Sequence, residues 1–365
     1  MIPIAKPYIN KAEQNAVIKV LQSGIIARGP RVAEFEEKFA KACDTKYAIA
    51  TSSGTASLHV SLHVLGIGEG DEVITTPFTF VATAHSILMV GAVPVFVDID
   101  PVSFNLDADL IEAKITKKTK AIVAVNLYGQ PAEYKKINKL AKKYNLFVVE
   151  DAAQSIGSTY YKKASGNLGD ISCFSLYATK NITTGEGGMI TTNSKDLNSK
   201  SILFRHHSQN PKKAYGYAGL GFNYETTDIS AAIGLEQLKK LKAITKRRQI
   251  IAKEYDKAFE NIPGLITPVV KNNRTHVYHQ YTMRVTKDFK LSRNEFIAQL
   301  NSKAVMARVY YPEALYRFKH LNYFDYKAKD FPVVEQMIKE VVSIPIHPGL
   351  TTKQIKYIIK TIRNI

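Results

Sequence analysis

Along the first two-thirds of the chain, short apolar runs rich in β-branched residues alternate with segments whose apolar residues recur at helical spacing. Strands are predicted over residues 47–51, 71–76, 93–98, 120–126, 146–150, 171–176 and 188–192. Helices are predicted between them over 55–65, 82–90, 110–115 and 134–144. Several of the strands are apolar on both faces, which fits parallel strands covered by helices on both sides. The predicted fold class is therefore α/β, a doubly wound, mostly parallel sheet. The pattern changes near residue 250. A long helix over 228–259 stops at Ile262-Pro263-Gly264, followed by a strand over 278–285 and a helix over 293–302. A tyrosine-rich piece around Tyr310-Tyr311-Pro312 and a helix after Thr351 complete the chain. The expected division is a large α/β domain over 1–250 and a smaller α+β domain over 251–365.

With 365 residues, 45% of them hydrophobic, the chain can bury a large core, which excludes wholesale disorder. No apolar run reaches the ~18 residues of a membrane-spanning helix. The start, Met1-Ile2-Pro3-Ile4-Ala5-Lys6-Pro7, has no apolar signal core, and Cys43 and Cys173 alone make no disulfide framework. A cytoplasmic protein is expected. The net charge of +18 favours anionic ligands in general: phosphates, nucleotides, acidic metabolites or nucleic acid. The densest basic stretch, 239–248, carries Leu238, Leu241, Ile244 and Ile250 at roughly helical spacing, so a solvated helix face accounts for it. No Cys/His finger or RNA-binding aromatic signature accompanies it, and no nucleic-acid partner is expected.

Ligands of open α/β sheets sit at the carboxyl ends of strands, so the polar residues there carry the chemistry. Thr51-Ser52-Ser53-Gly54-Thr55 opens a helix, which makes it either a phosphate site or an ordinary Ser/Thr cap. Asp151 ends an apolar strand, where an ionised carboxylate needs a cationic partner; a helix cap is the competing explanation. Lys180 sits in the polar loop between two strands, where a lysine loses its proton more easily than at the surface and attacks a carbonyl. A phosphate cradle, a carboxylate for a ring nitrogen and a nucleophilic lysine together match the needs of pyridoxal 5′-phosphate.

Three other motifs carry no chemistry. Gly66-Ile67-Gly68-Glu69-Gly70 lies between a helix and a strand, the reverse of the dinucleotide-binding order. His59 and His63 are four apart, but Val60 occupies the place of the metalloprotease glutamate. His206 and His207 are adjacent and diverge on a helix, so no metal site is expected.

Read end to end, the sequence resembles the DegT/DnrJ/EryC1/StrS sugar aminotransferases, which have the aspartate aminotransferase fold (fold type I). The resemblance lies in Gly29-Pro30-Arg31-Val32, Ser53-Gly54-Thr55-Ala56-Ser57-Leu58, Pro77-Phe78-Thr79-Phe80 and Glu150-Asp151-Ala152-Ala153-Gln154-Ser155. It continues through the 175–188 block, Gly221-Phe222-Asn223-Tyr224, Asp228-Ile229-Ser230-Ala231-Ala232 and Ser343-Ile344-Pro345-Ile346-His347-Pro348-Gly349. The resemblance implies that Lys180 forms the Schiff base and shuttles the proton, that Asp151 pairs with the pyridine nitrogen, and that Gln154 lies beside the ring hydroxyl. It further implies that Phe80 stacks on the ring and that Gly54, Thr55 and Ser175 hold the phosphate, with Asn223 of a second subunit completing that site in a homodimer. The implied reaction moves an amino group from an amino acid, usually L-glutamate, to a nucleotide-diphosphate keto-sugar.

Two departures touch recognition. Glu225 stands where the family often has Arg, and the Tyr-Pro-x-Pro-Leu-His pattern reads Tyr311-Pro312-Glu313-Ala314-Leu315-Tyr316. Tyr310, Tyr311 and Arg28 are candidates for the substrate side. The competing readings are a sugar 3-dehydratase, against which Lys180 argues because those relatives carry His there, a DNA-binding regulator, and a catalytically silent subunit.

Overall fold

In the computed structural model, which describes residues 1–210, 213 and 215–365, seven strands form the central sheet. Their order across it is Tyr47–Thr51, Gly188–Thr192, Ile171–Ser175, Phe147–Asp151, Thr119–Val125, Glu72–Thr75 and Val93–Phe96. Five strands, from Ile171–Ser175 to Val93–Phe96, run parallel, and Gly188–Thr192 is antiparallel to both its neighbours. That one reversal makes residues 176–187 a return loop at the carboxyl end of a parallel strand, and Lys180 sits on it.

Alternation along the strands sorts residues to two covered faces. Val123, Val149, Ile171 and Cys173 pack under the helix Gly54–Val64, while Ile122, Ala124 and Val148 pack under the helix Tyr134–Tyr144. The consecutive acids at the end of Phe147–Asp151 are separated by the same rule. Asp151 shares the face of Val149, and Glu150 turns the other way. There Glu150, fully buried, accepts from Asn126 Nδ2 (2.8 Å), Ser165 Oγ (2.7 Å), Ser172 Oγ (2.8 Å) and the backbone N–H of Gly166 and Leu168 (3.0 Å each). It thereby pins the 165–172 return under the strand that ends in Asp151.

The helix Asp228–Phe259 joins this layer to a three-stranded antiparallel sheet of Leu265–Ile266, Tyr281–Val285 and Val341–Ile344. Its residues Ala231, Leu235, Leu241 and Ile244 belong to the core beneath the large sheet, whereas Ile251, Tyr255 and Phe259 belong to the core of the small one. Residue 250 therefore falls inside a continuous helix. Arg248, at the changeover, is 2% exposed, and its guanidinium donates to the carbonyls of Tyr278 (2.9 Å), His279 (3.2 Å) and Ile346 (2.7 Å).

Several elements differ from the sequence expectation. The helix expected over 110–115 is only the single turn Glu112–Lys114, because so short a run does not offset helix nucleation and Asp107 and Asp109 form a competing side-chain turn. The strand expected from 278 begins at Tyr281, since Tyr278 has a left-handed backbone (φ 47°). His206 and His207 are not helical: the helix Lys195–Arg205 ends before them, and His207 has φ 53°. The helices Lys11–Ser23, Pro30–Ala42, Lys195–Arg205 and Pro332–Glu340 were additional to the expected set, although Asn10 with Glu13 forms a capping box and Pro30 and Pro332 sit at helix starts. Among the described residues, no helix is long and apolar enough to cross a membrane.

Replacing Glu150 by Ala strands five buried donors, at Asn126 and along 165–172, and should destabilise the fold by about 3 kcal/mol or more. Urea denaturation of Glu150→Ala beside Glu150→Gln measures this, and the amide, which retains an acceptor oxygen, should recover part of the loss.

Candidate active site

A cavity of about 600 Å³ opens where the parallel strands end, between the large sheet and the segments 279–280, 309–312 and 344–346. On its floor the helix Gly54–Val64 starts beside the end of Ile171–Ser175. Ser53 caps that helix by accepting from Ala56 N at 3.1 Å, whereas the N–H groups of Gly54 and Thr55 have no acceptor among the described residues. A Cβ on Gly54 would lie 2.8 Å from Ser175 Cβ, so only glycine lets the helix start approach this strand end. Ser53 is thus the helix cap, while two free N–H groups, the positive helix end and the Ser175 hydroxyl make a cradle suited to an anion.

Asp151, 4% exposed, accepts from Thr83 Oγ1 at 2.8 Å and from Ala153 N at 3.1 Å. Burial pushes its carboxyl above the usual range, against the opposing pull of these bonds and of Lys180. Lys180 shows the complementary shift: burial lowers its ammonium to about 8, with the Asp151 charge acting in the other direction. The two side chains form no ion pair, and the Lys180 ammonium has no hydrogen-bond partner among the described residues. Both charges are therefore desolvated and neither is fully compensated. That arrangement suits a flat group carrying a cationic N–H toward Asp151 and an electrophilic carbon toward Lys180.

Gln154 and Tyr311 border the same space. Gln154 Oε1 accepts from Tyr128 N at 2.8 Å, and its Nε2 approaches the Tyr311 hydroxyl at 3.4 Å. Phe80 also lines the cavity, its ring tilted against that of Tyr311 at 6.3 Å, and leaves 56% of its surface uncovered. Tyr310 lies beside Tyr311, its carbonyl accepting from the buried Tyr128 hydroxyl. The structure thus brings Gly54, Thr55, Phe80, Asp151, Gln154, Ser175, Lys180, Tyr310 and Tyr311 together.

Two expected residues lie elsewhere. Arg28 does not line the cavity and donates to Glu225 Oε1 at 2.8 Å, so the departure at 225 is matched by its own cation. Asn223 is exposed outside the cavity of its own chain. Tyr316 is buried, stacks on Phe331 at 4.8 Å and donates to Glu335, so its work is packing. His59 Nδ1 meets the Tyr224 hydroxyl at 2.9 Å and His63 stacks on Phe204 at 3.9 Å, which occupies both rings structurally. The basic stretch is also largely engaged: Lys239 pairs with Glu236, Lys240 with Glu13, and Arg248 is buried. Sequence reasoning missed Thr83, His279 and Glu186 as site residues. Thr83 follows Phe80 by one helical turn and Glu186 lies in the Lys180 loop, but nothing local to residue 279 signals the site.

Comparison with known proteins agrees with this geometry. The profile of the DegT/DnrJ/EryC1/StrS aminotransferase family matches residues 7–363. GDP-perosamine synthase of Caulobacter vibrioides is 38% identical over 100% of this chain and 98% of its own. UDP-2-acetamido-2-deoxy-3-oxo-D-glucuronate aminotransferase of Pseudomonas aeruginosa is 40% identical over 95% of this chain and 94% of its own. The structure of PseC from Helicobacter pylori, an aminotransferase involved in pseudoaminic acid biosynthesis, superposes with a TM-score of 0.93 at 30% identity, covering 100% of this chain and 98% of that one. Spr1654 from Streptococcus pneumoniae, a putative sugar aminotransferase with structures in PLP and PMP forms, superposes in its PMP form with a TM-score of 0.93 at 30% identity, covering 100% and 97%. With a fold of the aminotransferase type and a lysine facing a buried aspartate across an anion cradle, the chain belongs to the DegT/DnrJ/EryC1/StrS aminotransferase family.

Proposed function

We propose that this protein moves an amino group from an amino acid, L-glutamate, to the carbonyl of a nucleotide-diphosphate keto-sugar, with pyridoxal 5′-phosphate as cofactor. The observation that carries the reading is the gap between two desolvated, unpaired charges, Lys180 and Asp151, above a cradle that a Cβ at Gly54 would fill. The relatives named for GDP- and UDP-linked sugars support the acceptor class. The residues fit the cofactor. Gly54 and Thr55 N–H and the Ser175 hydroxyl would hold its phosphate, Asp151 would keep its ring nitrogen protonated, and Phe80 and Gln154 would flank the ring. When bound, the cofactor supplies an electron sink for the charge left as the donor loses its Cα proton.

The chain's own groups do the rest. Lys180 Nζ is the attachment point and, once released, the base that takes the Cα proton and returns it. Thr83 holds the Asp151 carboxylate in place, while Ile344, Ile346 and the Tyr311 ring keep water from the reacting end. Lys180 is the one Lys or Arg among the described residues that line the cavity. A cofactor phosphate and a substrate diphosphate need more positive charge than that. That shortage supports a homodimer with shared sites as the working unit, in which a second copy of the chain would contribute Asn223. Buried, unpaired Cys43 and Cys173 are compatible with a reducing cytoplasm.

Lys180→Ala should abolish the visible absorption band of the lysine-bound cofactor and lower transamination on the order of a thousandfold, with circular dichroism unchanged. An unchanged band would reassign the lysine. Because the neutral amine is the reactive form, the rate of cofactor capture should rise with pH through about 8 and level off above it. Asp151→Asn removes the charge that favours the ammonium, so stopped-flow capture profiles should shift to lower pH while turnover falls.

A further inference from the structure

His279 stands on the cavity wall opposite the large sheet, close enough to Lys180 for the two charges to interact. Its ring is oriented by the residue next to that lysine. Asn181 Nδ2 donates to Val277 O at 3.3 Å, which turns Asn181 Oδ1 toward His279 Nδ1 at 3.2 Å. A carboxamide oxygen only accepts, so Nδ1 carries the hydrogen and Nε2 keeps its lone pair. The backbone is held as well, since Arg248 donates to the His279 carbonyl and Gln280 N donates to Tyr128 O at 3.3 Å. Burial, Lys180, Arg248 and His276 all press the imidazole toward its neutral form, well below its ordinary titration range.

Two of the other residues offering acceptors to the cavity are engaged, whereas the buried Gln280 Oε1 has no partner among the described residues. The Asp151 oxygens take Thr83 and Ala153, and Gln154 Oε1 takes Tyr128 N. His279 Nε2 has no partner among the described residues. We infer that His279 is a further catalytic residue, whose bare Nε2 accepts a hydrogen bond from the N–H or O–H group that a substrate brings beside Lys180. In the donor half-reaction that group is the amine being transferred; in the acceptor half-reaction it is a sugar hydroxyl. The inference rests on the function proposed above. It also accounts for the placement of Asn181, which would otherwise be a loop residue with no share in the chemistry.

Nitrogen-15 NMR of the cofactor-free protein reads the tautomer directly, and His279 should show a protonated Nδ1 and a bare Nε2. A protonated Nε2 overturns the inference, whatever the enzyme does. His279→Phe should keep the visible band of the lysine-bound cofactor yet lower kcat/KM by about tenfold or more in at least one half-reaction, and His279→Gln, which retains an acceptor, should recover part of it. The half-reaction affected, with L-glutamate or with a keto-sugar nucleotide, identifies the donor group. Rates within about twofold of wild type in both half-reactions for both variants also overturn it. Should the wild-type protein form no band with the cofactor, the proposed function fails instead, and the tautomer still reports on the geometry.

Discussion

A carboxylate that is buried without a matching cation is the condition on which this structure turns. Asp151 lies at the end of a parallel strand, where the sheet, the helix Gly54–Val64 and the wall above exclude water from it. Two hydrogen bonds stabilise its charged form but do not offset the desolvation. Lys180 is near enough to feel that charge and too far to neutralise it. Folding thus leaves a desolvated carboxylate at the mouth of the sheet whose charge is not fully compensated. The same burial that raises the Asp151 carboxyl lowers the Lys180 ammonium, so one dry environment tunes both groups.

The scaffold keeps this condition from collapsing. Glu150 and Asp151 are neighbours in sequence and face opposite sides of one strand. Glu150 is saturated by five donors, from Asn126 and the 165–172 return, while Asp151 accepts only from Thr83 and Ala153. One acid is therefore used in packing and the other faces the cavity, and the strand's period of two enforces the division. Arg248 acts similarly on the other wall. It ties carbonyls of residues 278, 279 and 346 to the long helix, so the two lobes present a fixed gap.

Much of this was legible along the chain. The strands over 47–51 and 188–192 and the helices over 134–144, 228–259 and 293–302 coincide with the expectation, because each combines a clear period with a cap or breaker. Elements whose burial depends on a partner were not legible. The helix Lys11–Ser23 buries few of its residues, and Val341–Ile344 is a strand because Tyr281–Val285 lies beside it. At the site, Lys180, Asp151 and the Ser53–Thr55 segment declared themselves by standing at strand ends. Arg28 stood in an equally suggestive place, beside a glycine-proline helix start, yet it pairs with Glu225 on the surface.

The sequence by itself determined the alternation of strand and helix, hence the parallel sheet, and placed the candidate residues at or just beyond the ends of its strands, because side-chain periodicity and turn chemistry are local properties. Only the tertiary structure decided which of those residues share one dry cavity, which charges are left without a partner and which way the His279 ring points. Those outcomes depend on distances between segments far apart in the chain and on how much water the packing of the two sheets removes from between them.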